Sequence, residues 1–313
     1  MNTSNYIIFK KQRELGQIVS DTFVFLRRNL KPLFKVLAKT CSIPFLLLII
    51  AVGFYTKISA GLDFFSVENM GQDVGSFIIA IIALGTTGII YNAMLYGSVS
   101  EYIKAYIATG DKPNKAAVVN EIKKKTGSFI GLGFVNLLIF LAAILIPAAL
   151  GSYLFASGSE SLGILLLFLS FFPVLYLYVR FSVIYPTISN QETSTTETFS
   201  LSGQLVKGEW WMTFITIFII AILIGIIGFV FQIPVAIYTF IKTFTSMQSG
   251  SMSNPKELFD GVYLVLQIIA SSVNYLLYVI LAICVNFIYF NLNERKNQSG
   301  SLDQIDQIGS KNE

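Results

Sequence analysis

Charged residues vanish from six stretches of this chain. Uncharged runs cover Thr40–Thr56, Val74–Ser100, Thr126–Ser159, Ser161–Val179, Trp210–Ile241 and Gly261–Asn293. Crossing about 30 Å of hydrocarbon takes roughly 20 apolar residues at 1.5 Å per residue. All six runs qualify, the first once the flanking Lys39 and Lys57 are allowed to snorkel. None alternates apolar and polar positions as a barrel strand does, and only helices or closed barrels satisfy the backbone in lipid. The pattern predicts an all-α polytopic membrane protein with about six transmembrane helices arranged as three hairpins.

The polar segments ahead of runs one, three and five carry helical spacing of their own. Leu15, Ile18, Val19, Thr22, Phe23, Leu26 and Leu30 follow i, i+3, i+4, i+7. A second segment, Asn114–Lys125, has Asn114 at a cap position and apolar Val118, Val119 and Ile122. The third opens on Ser194, where STTE reads as a capping box, and continues through Phe199, Leu201, Leu205 and Val206. Each leads into a seam of basic residues, a Gly or Pro, an aromatic residue and then the apolar run: RNLKPLFKVL, KKTGSFIGLG and VKGEWWMTFI. Each hairpin is therefore expected to follow a cytosol-side amphipathic helix. The units are loose repeats over 13–108, 114–190 and 194–293 of one transmembrane domain, 1–293. A short cytosolic tail, 294–313, is expected to hold a helix with Leu302, Ile305 and Ile308 on one side.

Charge sets the orientation. Of the 22 Lys and Arg, 19 fall on the side holding the N-terminus, Glu101–Lys125, Arg180–Glu209 and the C-terminus; only Lys57, Lys242 and Lys256 fall opposite. Short basic loops stay cytosolic, so both termini are expected in the cytosol, with the chain multi-pass in a bacterial inner membrane. The charged, amphipathic residues ahead of the first run do not read as a cleavable signal peptide, and none is expected. Arg27, Arg28, Lys31, Lys123, Lys124, Lys125 and Lys207, with Trp210 and Trp211, are expected to anchor at the headgroup level, where anionic lipids attract basic residues. The bilayer and anionic lipids at the cytosolic face are the expected partners, with a membrane-protein partner also open. Nothing resembles a nucleic-acid footprint. A chain 54% apolar and 13% charged also excludes a large soluble helical core, which would need six helices almost without a polar face.

The chemistry is sparse. There is no histidine, which removes Ser-His and Cys-His nucleophiles, HExxH zinc sites and a histidine proton shuttle. Cys41 and Cys284 lie in different apolar runs without a CxxC partner and read as packing residues. No cofactor or metal is implied, and the chain is not expected to be an enzyme. Asn92, Asn136, Gln267, Asn274 and Asn286 lie inside apolar runs. Such residues either bond between helices or line a polar cavity. Arg180 is the one charged residue expected inside the bilayer, about one to two turns from the cytosolic end of its span, and reads either as an interface anchor or as a site residue. Pro44, Pro147, Pro173, Pro186 and Pro234 are candidate breaks in the spans.

The stretch YVRFSVIYPTISNQETSTTETFSLSGQLVKGEWWMTFI resembles the membrane-domain family named after glycerophosphodiester phosphodiesterases, and related bacterial membrane proteins of unknown function. The resemblance rests on Arg180, Pro186, Glu192, Ser202, Leu205, Gly208 and Trp210; the N-terminal ELGQIVSDTFVFLRRNLKPLF is also similar to the family's opening. Leu201 stands where the family usually has a basic residue. In that family the phosphodiester chemistry belongs to a separate soluble domain with its own histidine, carboxylates and metal, so the resemblance implies no activity here. The leading expectation is a non-catalytic integral membrane protein, a scaffold or accessory component of an envelope process; the alternative is a transporter or lipid-handling protein. Arg180, Asn92, Asn136 and Asn286 are the candidate headgroup or polar-cavity contacts.

Overall fold

A computed structural model describes residues 6–61, 70–110, 112–191, 193–248 and 258–298. Its helices are α1 (Leu15–Thr40), α2 (Ser42–Gly61), α3 (Met70–Thr109), α4 (Lys115–Ala156), α5 (Glu160–Leu169), α6 (Phe171–Arg180), α7 (Ile184–Asn190), α8 (Thr195–Val206), α9 (Trp210–Gln248) and α10 (Gly261–Asn297). No strand occurs among the described residues. Six stretches are long and apolar enough to cross a membrane: Ser42–Ser59, Val74–Thr109, Lys115–Ala156, Glu160–Asn190, Trp210–Gln248 and Gly261–Asn297. The protein is an all-α, multi-pass membrane protein. Glu192, Lys256 and the expected tail helix around 302–308 lie outside the described residues.

Proline decides where spans break, according to its place in the helix. Pro44, Pro173 and Pro186 are each the third residue of a helix, in α2, α6 and α7. There the missing N–H is one that no intrahelical carbonyl would have used. Pro147 and Pro234 instead sit inside continuous α4 and α9 and do not end them. The fourth span is thus three helices, interrupted at Ser170 and again over Phe181–Val183.

Two of the three expected interface helices need correction. The Asn114–Lys125 segment is not a separate helix: Asn114 Oδ1 accepts from the Ala116 and Ala117 amides, and α4 then runs unbroken into the third span. No Gly or Pro between Lys115 and Thr126 interrupts its ladder. In α1 the buried face is Ile18, Thr22, Phe25, Asn29, Leu33 and Val36, rotated from the expected stripe. Leu30 and Phe34 are left 52% and 57% exposed beside Arg27, Arg28 and Lys31, also exposed. Asn29 accounts for the rotation, because Tyr102 Oη donates to its Oδ1 at 3.1 Å inside the core. The third segment, α8, is separate as expected, with Ser194 Oγ accepting from the Glu197 amide at 3.3 Å. Gly208 then turns the chain into α9 at φ +89°, a conformation that favours glycine.

Two compact units emerge, each built from non-contiguous segments. One takes residues up to Thr40, Ala93–Phe218 and the chain from Ala282; the other takes Cys41–Asn92 and Ile219–Leu281. In the first, the segment before α1 folds inward. Phe9, fully buried, stacks on Phe287 at 4.3 Å and 11°, edge-on to Phe25 at 5.2 Å. Arg13 is buried with it. Its guanidinium donates to the Phe9 carbonyl at 2.7 Å, to the Ile8 and Lys11 carbonyls and to Asp21 at 2.9 Å, and lies 4.8 Å over the Phe287 ring. Burial pulls its pKa down, and the Asp21 carboxylate opposes that pull. The end of α10 fastens this strap: Asn291 Oδ1 accepts from the Arg13 amide at 2.7 Å, and Arg295 donates to the Arg13 carbonyl at 3.2 Å. Arg295 also pairs with Glu209 at 3.1 Å, and Lys296 donates to the Gln204 and Lys207 carbonyls at the end of α8.

Also in this unit, α4 and α5 fold back on each other through a turn with Gly158 at φ +85°. Their backbones meet at Gly151 and Gly163, where a Cβ on Gly163 would stand 2.7 Å from the Gly151 carbonyl oxygen. Gly127 and Gly131, four residues apart in α4, have open space where a Cβ would stand. In the second unit, Tyr91 Oη donates to the Tyr275 carbonyl at 3.0 Å, and Gly228 leaves room for Asn274, whose Oδ1 would collide with a Cβ there. Asp260 caps α10 by accepting from the Val262 and Tyr263 amides at 3.1 Å each.

Candidate functional site

The site forms where α6, α8 and the start of α9, up to Phe218, meet, all within the first unit. Arg180 is the last residue of α6. Its own carbonyl accepts from Ser202 Oγ at 2.8 Å, which ties α6 to α8. The next residue of α8 is Gly203, and the guanidinium occupies the space its side chain would need: a Cβ there would stand 2.7 Å from Nε, 2.9 Å from Nη2 and 3.1 Å from Cζ. A glycine inside a helix costs about 0.5–1 kcal/mol relative to alanine, and seating Arg180 is the use made of it. Edge-on packing of Phe181 against Phe199, 5.0 Å between centroids, holds the same junction closed.

Aromatic rings surround the charge. Arg180 Nη1 donates to Tyr176 Oη at 3.1 Å, and Cζ lies 5.9 Å from both the Tyr176 and Phe181 ring centroids. Trp210, the first residue of α9, stacks on Tyr176 (6.2 Å, 16°) and on Phe214 (5.3 Å, 10°). Its Nε1 donates to the Tyr176 carbonyl at 3.3 Å, so guanidinium and indole share one level of the helix pair. Trp211 turns outward and is 69% exposed. Among the described residues no carboxylate pairs with Arg180, and Tyr176 is its one side-chain acceptor. A guanidinium carries five donors in a planar fork, and beyond the bond to Tyr176 none of them meets a protein acceptor among the described residues.

The other sequence candidates are not brought to this place. Asn92 Nδ2 donates within its own helix to the Gly88 carbonyl at 2.8 Å. Asn286 Nδ2 donates to Ser100 Oγ at 3.1 Å and to the Ala282 carbonyl, while its Oδ1 is buried without a partner among the described residues, as is Asn136 Oδ1. Of the expected basic anchors, Arg27, Arg28, Lys31, Lys123 and Lys207 are exposed, and Lys124 pairs with Glu121 at 2.6 Å on the surface. Lys125 departs from that role. It is only 25% exposed and donates to Glu101 at 2.6 Å and to the Ser189 carbonyl at 3.3 Å. Lys104 donates to the same carbonyl at 2.8 Å. Lys125 thus neutralises a carboxylate that is 5% exposed and faces protein.

Sequence reasoning singled out Arg180 and Trp210 but missed Tyr176, Phe181 and Gly203. Gly203 carried a readable signal, a glycine in mid-helix on the same buried face as Phe199, Ser202 and Val206. Tyr176 carried none, because aromatics are plentiful in these spans. Among the described residues no three His, Cys, Asp or Glu side chains gather to hold a metal, and Cys41 and Cys284 are free and buried. Comparison with family models, with curated proteins and with solved structures returned no match.

Proposed function

We propose that this chain is a non-catalytic component of a bacterial inner membrane, with both termini in the cytosol, acting as a scaffold or accessory protein in an envelope process. The observation that carries this reading is the use made of charge in the first unit. Arg13, Lys104, Lys125, Arg295 and Lys296 are spent on carbonyls and carboxylates of neighbouring segments, Glu101 among the latter. That wiring suits a preset platform better than a site whose charged groups must be free to titrate during turnover. The 19-to-3 division of basic residues supports the orientation, and the resemblance to the phosphodiesterase-associated membrane domain supports a role apart from catalysis.

A second reading, a transporter or lipid-handling protein, draws on the interrupted fourth span, since discontinuous helices build substrate sites in transporters. Three measurements test the proposal. Cysteines placed at Ser157 and Asn190, in a background lacking Cys41 and Cys284, are expected to label from outside and only after lysis, respectively. A photo-crosslinker at Arg28, exposed on α1, is expected to capture one discrete membrane protein in living cells. Proteoliposomes are expected to scramble fluorescent phospholipids no faster than empty vesicles. Labelling of Asn190 from outside overturns the orientation, and rapid scrambling without a crosslinked partner replaces the scaffold with the second reading.

A further inference from the structure

From the setting of Arg180 between Tyr176 and Gly203 the structure assigns a binding site for the phosphodiester of an anionic phospholipid headgroup. The site holds whether or not the protein serves as a scaffold. Its chemistry is that of a phosphate receptor: a guanidinium held against Gly203, with one bond to Tyr176 Oη and no carboxylate pairing with it among the described residues. A planar fork of donors matches two phosphate oxygens at once, which a lysine ammonium does not. The Tyr176 hydroxyl accepts from Arg180 and keeps its own proton to donate.

The surroundings select a lipid over a soluble phosphate. Trp210 Nε1 bonds the Tyr176 carbonyl one turn before Arg180, and indoles settle at the headgroup level of a bilayer. Phe172, Tyr178 and Trp211 are exposed on the flanking turns of α6 and α9 and offer apolar surface to acyl chains. Arg180 thus sits where a headgroup phosphate lies while hydrocarbon covers the helices beside it.

Gly203 supplies the decisive variant. Gly203→Ala leaves every charge in place, yet its Cβ would stand 2.7–3.1 Å from three guanidinium atoms. The obstructed group is the end of a flexible side chain, so it swings out and the helices stay packed. The chain has two tryptophans, and Trp211→Phe leaves Trp210 as the sole reporter beside the site. Full-length protein in this background is reconstituted into phosphatidylcholine vesicles containing equal small fractions of phosphatidylglycerol and tracer phosphatidylcholine. In one set the glycerol lipid is brominated on its chains, in the other the choline lipid.

Trp210 is expected to be quenched more by the brominated phosphatidylglycerol. Arg180→Gln and Gly203→Ala are each expected to remove that preference, roughly tenfold in relative affinity for the loss of charge-assisted hydrogen bonds. Arg180→Lys is expected to keep only part of it. Equal quenching by the two lipids in the Trp211→Phe parent overturns the assignment, and that comparison needs no change at Arg180 or Gly203. Persistence of the preference in Gly203→Ala also overturns it, because enrichment by the general basic surface survives that change. A preference abolished by inorganic phosphate, but not by chloride at matched ionic strength, would make the ligand a soluble anion and sink the lipid assignment.

Discussion

Gly163→Ala tests whether α4 and α5 meet backbone to backbone. Ordinary contact for a Cβ begins near 3.4 Å; the alanine methyl would stand 2.7 Å from the Gly151 carbonyl oxygen and 3.2 Å from the Phe155 nitrogen, a shortfall of about 0.7 Å at the oxygen. Both obstacles are backbone, so no rotamer change relieves them, and α5 must move away from α4. The reverse contact is tight as well: at Gly151 a Cβ would meet Leu167 Cγ at 3.0 Å and the Gly163 carbonyl oxygen at 3.2 Å. Overpacking of this kind costs about 1–3 kcal/mol. In a membrane the separated helices remain helical, so the better helix propensity of alanine favours both states and largely cancels. The control is Gly127→Ala, which meets nothing within 4 Å. Unfolding by dodecyl sulfate in mixed micelles, followed by circular dichroism and tryptophan fluorescence, compares the two. Gly163→Ala is expected to lower the folded-to-unfolded ratio about tenfold relative to Gly127→Ala, as 1.4 kcal/mol would. If the two variants unfold at the same detergent fraction, helix contact at Gly151–Gly163 is refuted.

Three further outcomes follow from the charged contacts. Arg13→Ala strips a side chain that is 0% exposed from three carbonyls and from Asp21, itself 25% exposed; a loss of about 3 kcal/mol is expected, read as earlier thermal unfolding and faster proteolysis before α1. Lys125→Gln leaves buried Glu101 unpaired and is expected to cost about 1–3 kcal/mol, whereas Lys124→Gln, at an exposed pair, is expected to stay within about 0.5 kcal/mol in the same assay. Asp260 is held well below the usual carboxylate range by the Lys242 ammonium, the Tyr238 hydroxyl and the Tyr263 amide. With the folded pKa below the unfolded value near ~3.9, its contribution is complete above that value and is lost as pH falls through the lower folded one. Protection of the first turn of α10 against hydrogen exchange, taken relative to the intrinsic amide rate at each pH, is expected to fall below about pH 4, and Asp260→Asn is expected to flatten that profile.

The spans were legible because lipid imposes a one-dimensional rule: a helix must stay apolar for the thickness it crosses. The run Trp210–Ile241 became the span Trp210–Gln248, and Thr40–Thr56 became Ser42–Ser59. Helix starts at Asn114 and Ser194 were legible for a similar reason, since a cap is satisfied by amides two or three residues away. The facing of each helix was not. Lipid is as apolar as leucine, so the buried and lipid-facing sides of a span carry the same residues. In α1 this rule reaches beyond the spans: Leu30 and Phe34 point outward while Thr22 and Asn29 are buried, because Tyr102 from α3 reaches Asn29. Lys125 could be read as an anchor until α3 brought Glu101 to it. Arg13 looked like one basic residue among eight before the first span, and only the fold-back of Ile7–Phe9 surrounds it with carbonyls. The same holds at the candidate site. Arg180 was visible as a charge near the end of a span, but its seat depends on the Cβ that Gly203, 23 residues on, does not have. A close approach between helices is specified jointly by what one segment lacks and what another supplies, and that pairing exists only once both are packed.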